Sequence, residues 1–281
     1  MPNPAEPPPS GSRPGARPGG SQVPEKGDLA SERRRYERHG GDHVARYRWA
    51  AERIRGGRVL DVGCGHGFGA LLLKGSFREY LGVDVDEPAI EWANRIVAPA
   101  APGARFATPA GRPAGLFDAV TCFEVLEHVD DPAALLRELR AAVVPGGSVF
   151  LSTPNGSLSA GRPEWFMSPF HVAEFTASEF VGLVSAAFPG AGEFYRQRRV
   201  DWLDCAPQAV RRQLADGPRT STTRAAPTAA STALRTGHAL FRKVPSPASL
   251  WQLRPLPTPP RDGLGYSHLL WAGTSAGGRS P

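Results

Sequence analysis

The chain has 281 residues, 41% of them hydrophobic, and a formal net charge of +6 at pH 7. This length suits one large α/β domain with appendages rather than two full domains. No stretch approaches about eighteen uninterrupted apolar residues, so no membrane span is expected. The Pro-rich N-terminus lacks the apolar segment of a secretory signal. The three cysteines are far apart and suggest neither a disulfide framework nor a zinc site. We therefore expect a cytoplasmic protein.

Composition divides the chain into five segments. Residues 1–27 are rich in Pro and Gly with almost no large apolar side chain, which predicts a disordered tail. Residues 28–205 have the composition of a globular domain. Residues 206–261 form an insertion rich in Arg, Pro and Ala that we expect to be partly disordered, although its basic excess would also attract nucleic acid. Residues 262–275 are predicted to close the sheet of the domain, and 276–281 form a second tail.

Predicted strands and helices alternate along the globular domain. In chain order they are a helix over 43–55 capped by Asp42, a strand over 58–62, a helix over 68–75, a strand over 80–84, a helix over 87–97, strands over 105–107 and 117–123, a helix over 133–144, a strand over 148–153, a helix over 177–188, and closing strands over 192–198 and 267–273. This alternation implies right-handed crossovers and a mostly parallel sheet with helices on both faces.

A glycine-rich stretch, RVLDVGCGHGFG, follows the first predicted strand. Gly63, Gly65 and Gly67 form a GxGxG turn, in which the missing Cβ atoms allow a sharp turn and a close approach of backbone to ligand. The run from Gly65 to Ala70 also fits the GxGxxA pattern of dinucleotide sites. The glycines alone therefore predict a nucleotide-like ligand without choosing among such ligands.

Two acidic residues favour one ligand over the other. Asp84 ends the second predicted strand, where its carboxylate would accept both hydroxyls of a ribose. Asp61 lies inside the end of the first strand, where a charge needs a reason that an ammonium group held nearby would supply. A dinucleotide explains only Asp84, whereas S-adenosylmethionine (SAM) carries both a ribose and an ammonium group. The pair predicts SAM as the cofactor.

Four motifs in order resemble those of the class I SAM-dependent methyltransferases of the type 11/23 kind. They are VLDVGCGHG, GVDVDEPAI, FDAVTCFEVLEHVDDP and VVPGGSVFLSTPN, and the resemblance runs through most of residues 42–200. It implies a Rossmann-like α/β fold with a seven-stranded, mostly parallel sheet, helices on both faces and an antiparallel last strand. The long insertion before the last strand departs from the compact form of this fold.

The resemblance also assigns cofactor contacts. The three loop glycines would underlie the methionine part of SAM, and Asp61 would orient its ammonium group through the loop. Asp84 would hold the ribose, Val85 would lie along the adenine, and Phe123 would approach from the end of the fourth strand. Arg46 matches an arginine that reaches the SAM carboxylate in ubiquinone-pathway O-methyltransferases.

The stretch FEVLEHV carries the candidate catalytic residues. If it forms a helical turn, Glu124, Glu127 and His128 share one face. With His171 downstream, they resemble the ExxEH-plus-His metal sites of small-RNA 3′-end 2′-O-methyltransferases, and in part those of ubiquinone-pathway O-methyltransferases. The resemblance implies four ligands to a divalent ion such as Mg²⁺, which would lower the pKa of an acceptor hydroxyl. Alternatively no metal binds, Glu127 helps to position the cofactor, and His128 acts as the general base.

Three functions fit these observations. The leading one is an enzyme that transfers methyl from SAM to an oxygen of a small-molecule substrate. An RNA 2′-O-methyltransferase with a divalent metal is less favoured, because residues 206–261 hold only Phe241 and Trp251 as aromatic platforms for bases. A SAM-binding protein without catalysis, or an NAD-linked enzyme, is the third. The sequence carries no sign of the oligomeric state.

Overall fold

The structure is a computed structural model, and it describes residues 28–111, 115–159, 168, 170–190, 192–199, 251–256 and 267–275. The predicted tails 1–27 and 276–281 lie outside these residues, as does all of the predicted insertion except 251–256. No helix in the described ranges combines the length and the apolar character needed to cross a membrane.

Eight strands form one sheet: β1 Arg58–Val62, β2 Glu79–Val83, β3 Ala104–Ala107, β4 Phe117–Phe123, β5 Val143–Pro154, β6 Glu193–Arg199, β7 Trp251–Pro255 and β8 His268–Thr274. Their order is β3-β2-β1-β4-β5-β8-β6-β7. Strands β1 to β5 are parallel. Strand β8 is antiparallel to both β5 and β6, and β7 is antiparallel to β6. The expected antiparallel last strand is therefore present, and β7 is an eighth strand beyond the seven predicted.

Six α-helices connect and cover the strands: α1 Leu29–His39, α2 Gly41–Ala51, α3 Phe68–Leu72, α4 Glu87–Trp92, α5 Pro132–Ala142 and α6 Ala177–Ala187. Helix α4 continues as a π-helical turn over Ala93–Val97 and a 3₁₀ turn over Ala98–Ala100. Further 3₁₀ turns cover Pro109–Gly111, Leu126–His128 and Gly156–Leu158.

The core consists of one apolar layer on each face of the sheet. Neighbouring residues of a strand point to opposite faces, so that Val59 joins the layer beneath α2, α3 and α4 while Leu60 joins the layer beneath α5 and α6. Both side chains are fully buried. Burial of one such side chain contributes roughly 1.5–3 kcal/mol, which is why the strands read as nearly continuous apolar runs.

Several local predictions are confirmed. Asp131 caps α5 by accepting a hydrogen bond from the Ala134 amide at 2.7 Å, and Thr176 and Glu179 form the predicted capping box of α6. The prediction for Asp42 is wrong. Helix α2 begins at Gly41, one residue before Asp42, with Gly40 in the capping position, so the Asp42 side chain serves an ion pair instead. Helix α1 was not predicted from the sequence.

Candidate active site

The order of the sheet places a crevice between β1 and β4. Going outward from β1, the chain continues through β2 and β3 on one side and through β4 and β5 on the other. The segments that follow β1 and β4 therefore leave the same carboxyl edge in opposite directions, which is where ligands bind in open α/β sheets. The glycine stretch follows β1 and FEVLEHV follows the start of that edge on β4.

The glycine loop has the backbone that its sequence predicts. Gly63, Gly65 and Gly67 all have positive φ, at 75°, 52° and 76°. A Cβ at Gly63 would collide with the Val125 side chain, so the loop lies directly against the segment that follows β4. At Gly65, by contrast, a Cβ would meet nothing within 4 Å. The loop is thus packed from below and open at its centre, as a cradle for a ligand requires.

Asp84 and Val85 occupy the end of β2 beside this loop. The Asp84 carboxylate accepts hydrogen bonds from the Gly65 amide at 2.7 Å and from the Asp86 amide at 3.0 Å, and so ties the loop to β2. The Val85 side chain is 64% exposed although it is apolar. Phe123, at the end of β4, is buried and packs edge-on against Tyr47 with ring centroids 5.1 Å apart. Of these predicted contact residues, Val85 alone presents an open apolar surface.

Asp61 has a different environment from the one expected. Its carboxylate is fully buried and accepts hydrogen bonds from Thr121 Oγ1 at 2.6 Å, from the Tyr47 hydroxyl at 2.8 Å, and from the Tyr80 hydroxyl. Burial raises the pKa of Asp61 to about 6, while these three hydroxyl donors lower it. The prediction that Asp61 faces the ammonium of SAM is therefore corrected, because its oxygens are already engaged inside the protein.

Arg46 is also buried and held by protein groups. One terminal nitrogen donates to Gln197 at 2.7 Å, and the other lies 3.3 Å from an Asp42 carboxylate oxygen. The guanidinium is 3.9 Å from Glu124, and its Nε has no hydrogen-bond partner. Burial opposes its charge, but Glu124 and Asp42 together hold the pKa of Arg46 above its ordinary value. The expected reach toward a SAM carboxylate is therefore limited to the unpaired Nε.

Glu124 does not share a face with the residues that follow it. It has a φ of 58°, the one positive value among the non-glycine residues that the structure describes, and the 3₁₀ turn begins only at Leu126. Its carboxylate accepts a hydrogen bond from Ser152 Oγ at 2.7 Å and lies 3.1 Å from His268 Nε2. The predicted role of Glu124 as a metal ligand is corrected for this reason: its side chain points to Arg46 and His268.

The other three predicted metal ligands do come together. One ligand atom from each of Glu127, His128 and His171 lies within 4.8 Å of the others, and the two imidazole centroids are 4.9 Å apart. Glu127 is fully buried, and its Oε2 accepts a hydrogen bond from Thr153 at 3.1 Å while Oε1 has no partner. Burial, with the nearby charge of Glu124, raises the pKa of Glu127 well above its ordinary value. An uncompensated acceptor of this kind needs a proton or a cation.

Both imidazoles of this cluster are oriented through Nδ1. His128 Nδ1 lies 3.1 Å from the Phe170 carbonyl oxygen, and His171 Nδ1 lies 2.7 Å from Glu174 Oε1. A carbonyl oxygen can only accept, so His128 must carry its proton on Nδ1 and expose a lone pair on Nε2. Burial lowers the pKa of His128, and the neighbouring His171 lowers it further. The neutral, accepting form of His128 is therefore favoured at neutral pH.

Sequence reasoning missed four side chains of this region: Asp42 as an ion-pair partner, Glu174, Gln197 and His268. A signal existed for Glu174, which stands three residues after His171, the spacing of a local side-chain contact. Gln197 and His268 come from β6 and β8, and only the strand pairing brings them to α2 and β4.

Comparison with known proteins places the fold and the loop in a family. The "Methyltransferase domain" family matches residues 32–203, more than half of the chain. The chain belongs to this methyltransferase family. The prediction of a class I SAM-dependent methyltransferase is thereby confirmed.

Curated relatives of this methyltransferase include two with informative names. A ubiquinone biosynthesis O-methyltransferase of Bordetella avium is 38% identical over 110 residues, which are 36% of this chain and 44% of the relative. A probable S-adenosylmethionine-dependent methyltransferase of Mycolicibacterium smegmatis is 32% identical over 155 residues, 52% of this chain and 56% of the relative. The chain thus spans about half the length of these relatives.

Solved structures resemble this methyltransferase in fold. The YcgJ protein of Bacillus subtilis has a TM-score of 0.52 at 17% identity, covering 84% of this chain and 100% of that one. A putative methyltransferase of Bacillus halodurans has a TM-score of 0.52 at 16% identity, with the same two coverages. These likenesses confirm the predicted Rossmann-like architecture.

Proposed function

We propose that this protein transfers the methyl group of SAM to an oxygen of a small metabolite. The observation that carries the proposal is the pairing of the glycine loop with Asp84. The loop is open at Gly65, it is fixed to β2 by a carboxylate, and the exposed apolar Val85 lies beside that carboxylate. A ribose beside Asp84 and an adenine against Val85 would suit these groups, so the residues present fit the adenosine part of SAM.

The family relationship supports the reaction, and one group of relatives supports oxygen as the acceptor. The relatives named ubiquinone biosynthesis O-methyltransferase methylate an oxygen by their name, and the matched region of this chain includes the motifs discussed above. When bound, SAM supplies an electrophilic methyl group on a positively charged sulfur. The acceptor must then provide a nucleophilic oxygen, which requires removal of its proton.

His128 is the residue that we propose takes this proton. Its imidazole is exposed at the carboxyl edge, its pKa is lowered by burial, and its Nε2 lone pair is available because Nδ1 donates to Phe170. As the acceptor oxygen forms its bond to the methyl carbon, the carbon–sulfur bond breaks and its electron pair stays on the sulfur. The hydroxyl proton passes to His128 Nε2, and the Phe170 carbonyl stabilises the resulting imidazolium.

A divalent metal at Glu127, His128 and His171 is a second candidate, favoured by one observation. The unpaired Glu127 Oε1 and the two imidazoles converge on one point, and both imidazoles are anchored through Nδ1. Two nitrogens and one oxygen suit Mn²⁺, Fe²⁺ or Zn²⁺ better than Mg²⁺, which prefers oxygen ligands. A metal held there would lower the pKa of an acceptor hydroxyl, and the substrate would then offer two adjacent oxygens, as a catechol does.

Calorimetry and a labelled-methyl assay would test both proposals. S-adenosylhomocysteine should bind at micromolar affinity without competition from NAD. Methyl transfer should then be measured with 3,4-dihydroxybenzoate, with a phenol that has a single hydroxyl, and with an RNA oligomer ending in a ribose diol, each in EDTA and in added Mn²⁺. Transfer to the phenol in EDTA supports His128 as the base, and transfer to the catechol only with Mn²⁺ supports the metal. Failure to bind S-adenosylhomocysteine would refute the proposed function.

A further inference from the structure

A buried polar cluster lies beside the glycine loop, on the side of α2 and β8. It contains Asp42 and Arg46 of α2, Glu124 after β4, and His268 at the start of β8. Val125, next to Glu124, touches the loop at Gly63, so the cluster and the loop are neighbours. The cluster is thus placed where the cofactor would extend beyond its ribose.

The charges of the cluster match the two ends of an amino acid. Burial opposes the charge of Asp42, but Arg46 lowers its pKa to about 2, and Arg46 likewise holds the pKa of Glu124 well below its ordinary value. Both carboxylates are therefore ionised at neutral pH, and they face a single guanidinium. The side chains of Asp42 and Glu124 are 20% and 15% exposed, whereas that of Arg46 is fully buried. A ligand entering from the open side meets the carboxylates first.

One donor of the cluster remains without a partner. Arg46 uses its terminal nitrogens on Gln197 and Asp42, but its buried Nε–H donates to nothing. A buried donor left unpaired costs about 1–3 kcal/mol, which a ligand acceptor would recover. Asp61, the other acid near the loop, has no such capacity, because three hydroxyls already occupy it.

We propose that Asp42, Arg46 and Glu124 bind the amino-acid end of SAM, with His268 as a positioning residue. The ammonium group lies against the carboxylates of Asp42 and Glu124, and the carboxylate group accepts from Arg46 Nε. His268 lies 3.1 Å from Glu124 and 2.8 Å from Ser267 Oγ, and it fixes the Glu124 carboxylate toward α2. This assignment rests on the proposed function, and it moves recognition of the ammonium from Asp61 to groups of α2, β4 and β8.

The test compares two nucleosides that differ only at this end. S-adenosylhomocysteine carries the amino acid, and 5′-methylthioadenosine has the same adenosine and thioether without it. Isothermal titration should show the wild-type protein binding S-adenosylhomocysteine at least about tenfold more tightly. In Glu124→Gln this preference should fall about tenfold, with the affinity for 5′-methylthioadenosine unchanged. Asp42→Asn should act in the same direction and serves if Glu124→Gln does not fold.

His268 is tested by a pair of variants. His268→Leu removes the donor that holds Glu124 and should lower the preference, whereas His268→Gln retains an amide donor and should largely restore it. Glu138→Gln, an exposed acid of α5, is the matched control and should leave both affinities unchanged.

The outcomes separate this proposal from the broader one. A wild-type protein that binds neither nucleoside would refute the cofactor assignment itself. A wild-type protein that prefers S-adenosylhomocysteine, with the preference intact in Glu124→Gln and Asp42→Asn but lost in Asp61→Asn, would overturn the subsite alone and return the ammonium to Asp61.

Discussion

His171 Nδ1 lies 2.7 Å from the carboxylate of Glu174, three residues later in the chain. The Glu174 side chain is fully buried, so this contact is not exchanged with solvent. It directs the opposite edge of the imidazole toward His128, whose ring centroid is 4.9 Å away. A carboxylate behind a histidine is the arrangement that orients metal-binding imidazoles and raises their basicity.

The first prediction follows from this pair. Glu174→Gln should weaken Mn²⁺ binding about tenfold or more, because a neutral amide orients the imidazole without increasing its basicity. Affinity for S-adenosylhomocysteine should stay the same, since Glu174 touches none of the loop residues named above. Mn²⁺ binding can be followed by electron paramagnetic resonance, with His171→Ala as the variant that removes the ligand and Glu138→Gln as the surface control. Equal Mn²⁺ affinity in Glu174→Gln and the wild type would contradict the role.

A second prediction concerns Asp84, which fixes the loop through the Gly65 amide at 2.7 Å. Asp84→Ala should lower affinity for S-adenosylhomocysteine at least about tenfold, since it removes charge-assisted hydrogen bonds worth roughly 1.5–3 kcal/mol each. Affinity for 5′-methylthioadenosine should fall equally, because both nucleosides carry the ribose. Glu91→Ala, an exposed acid of α4, is the control. An unchanged dissociation constant in folded Asp84→Ala would mean that the ribose is held elsewhere.

A third prediction concerns stability and pH. Burial raises the pKa of Asp61 from 3.8 to about 6. The folded protein therefore binds more protons than the unfolded chain between these values, and stability falls as the pH rises through them. The change corresponds to roughly 3 kcal/mol. Asp61→Asn cannot titrate, so the unfolding free energy of the wild type relative to this variant should decrease from pH 4 to pH 6 and then level off.

Urea denaturation at half-unit pH intervals would measure this difference. Comparing the two proteins cancels the titration of other groups, including His43, whose pKa is lowered to about 4 by burial and by Arg46. A difference that is flat across this range would show that Asp61 keeps its ordinary pKa.

The sheet and its loop could be predicted because each depends on local patterns. Apolar runs such as RVLDV and FDAVTCF become strands, and the glycines that follow β1 do adopt left-handed backbone. The second acid, Asp84, could be found by its position at a strand end. These features need no knowledge of which strands are neighbours.

The polar groups of the site could be predicted only in part. The spacing of Glu124, Glu127 and His128 assumed a helical turn, whereas the positive φ of Glu124 turns its carboxylate away from the other two. The partners that attract it come from Arg46 and His268, far away in sequence. Asp61 was misread for a similar reason, because its hydroxyl donors come from three separate elements.

The last prediction concerns His128 and is measured in EDTA, so that any bound metal is removed. His128→Asn should lower the turnover of an accepted phenol by about 10² to 10⁴, the usual contribution of a general base, while affinity for S-adenosylhomocysteine stays unchanged. In the wild type, turnover should fall as the pH drops through the pKa of His128, because the protonated imidazole cannot accept the hydroxyl proton. Burial lowers that pKa below 6.5, so turnover should still be near its maximum at pH 6.5. Turnover that is already half lost above pH 6.5, or equal turnover in His128→Asn, would exclude His128 as the base.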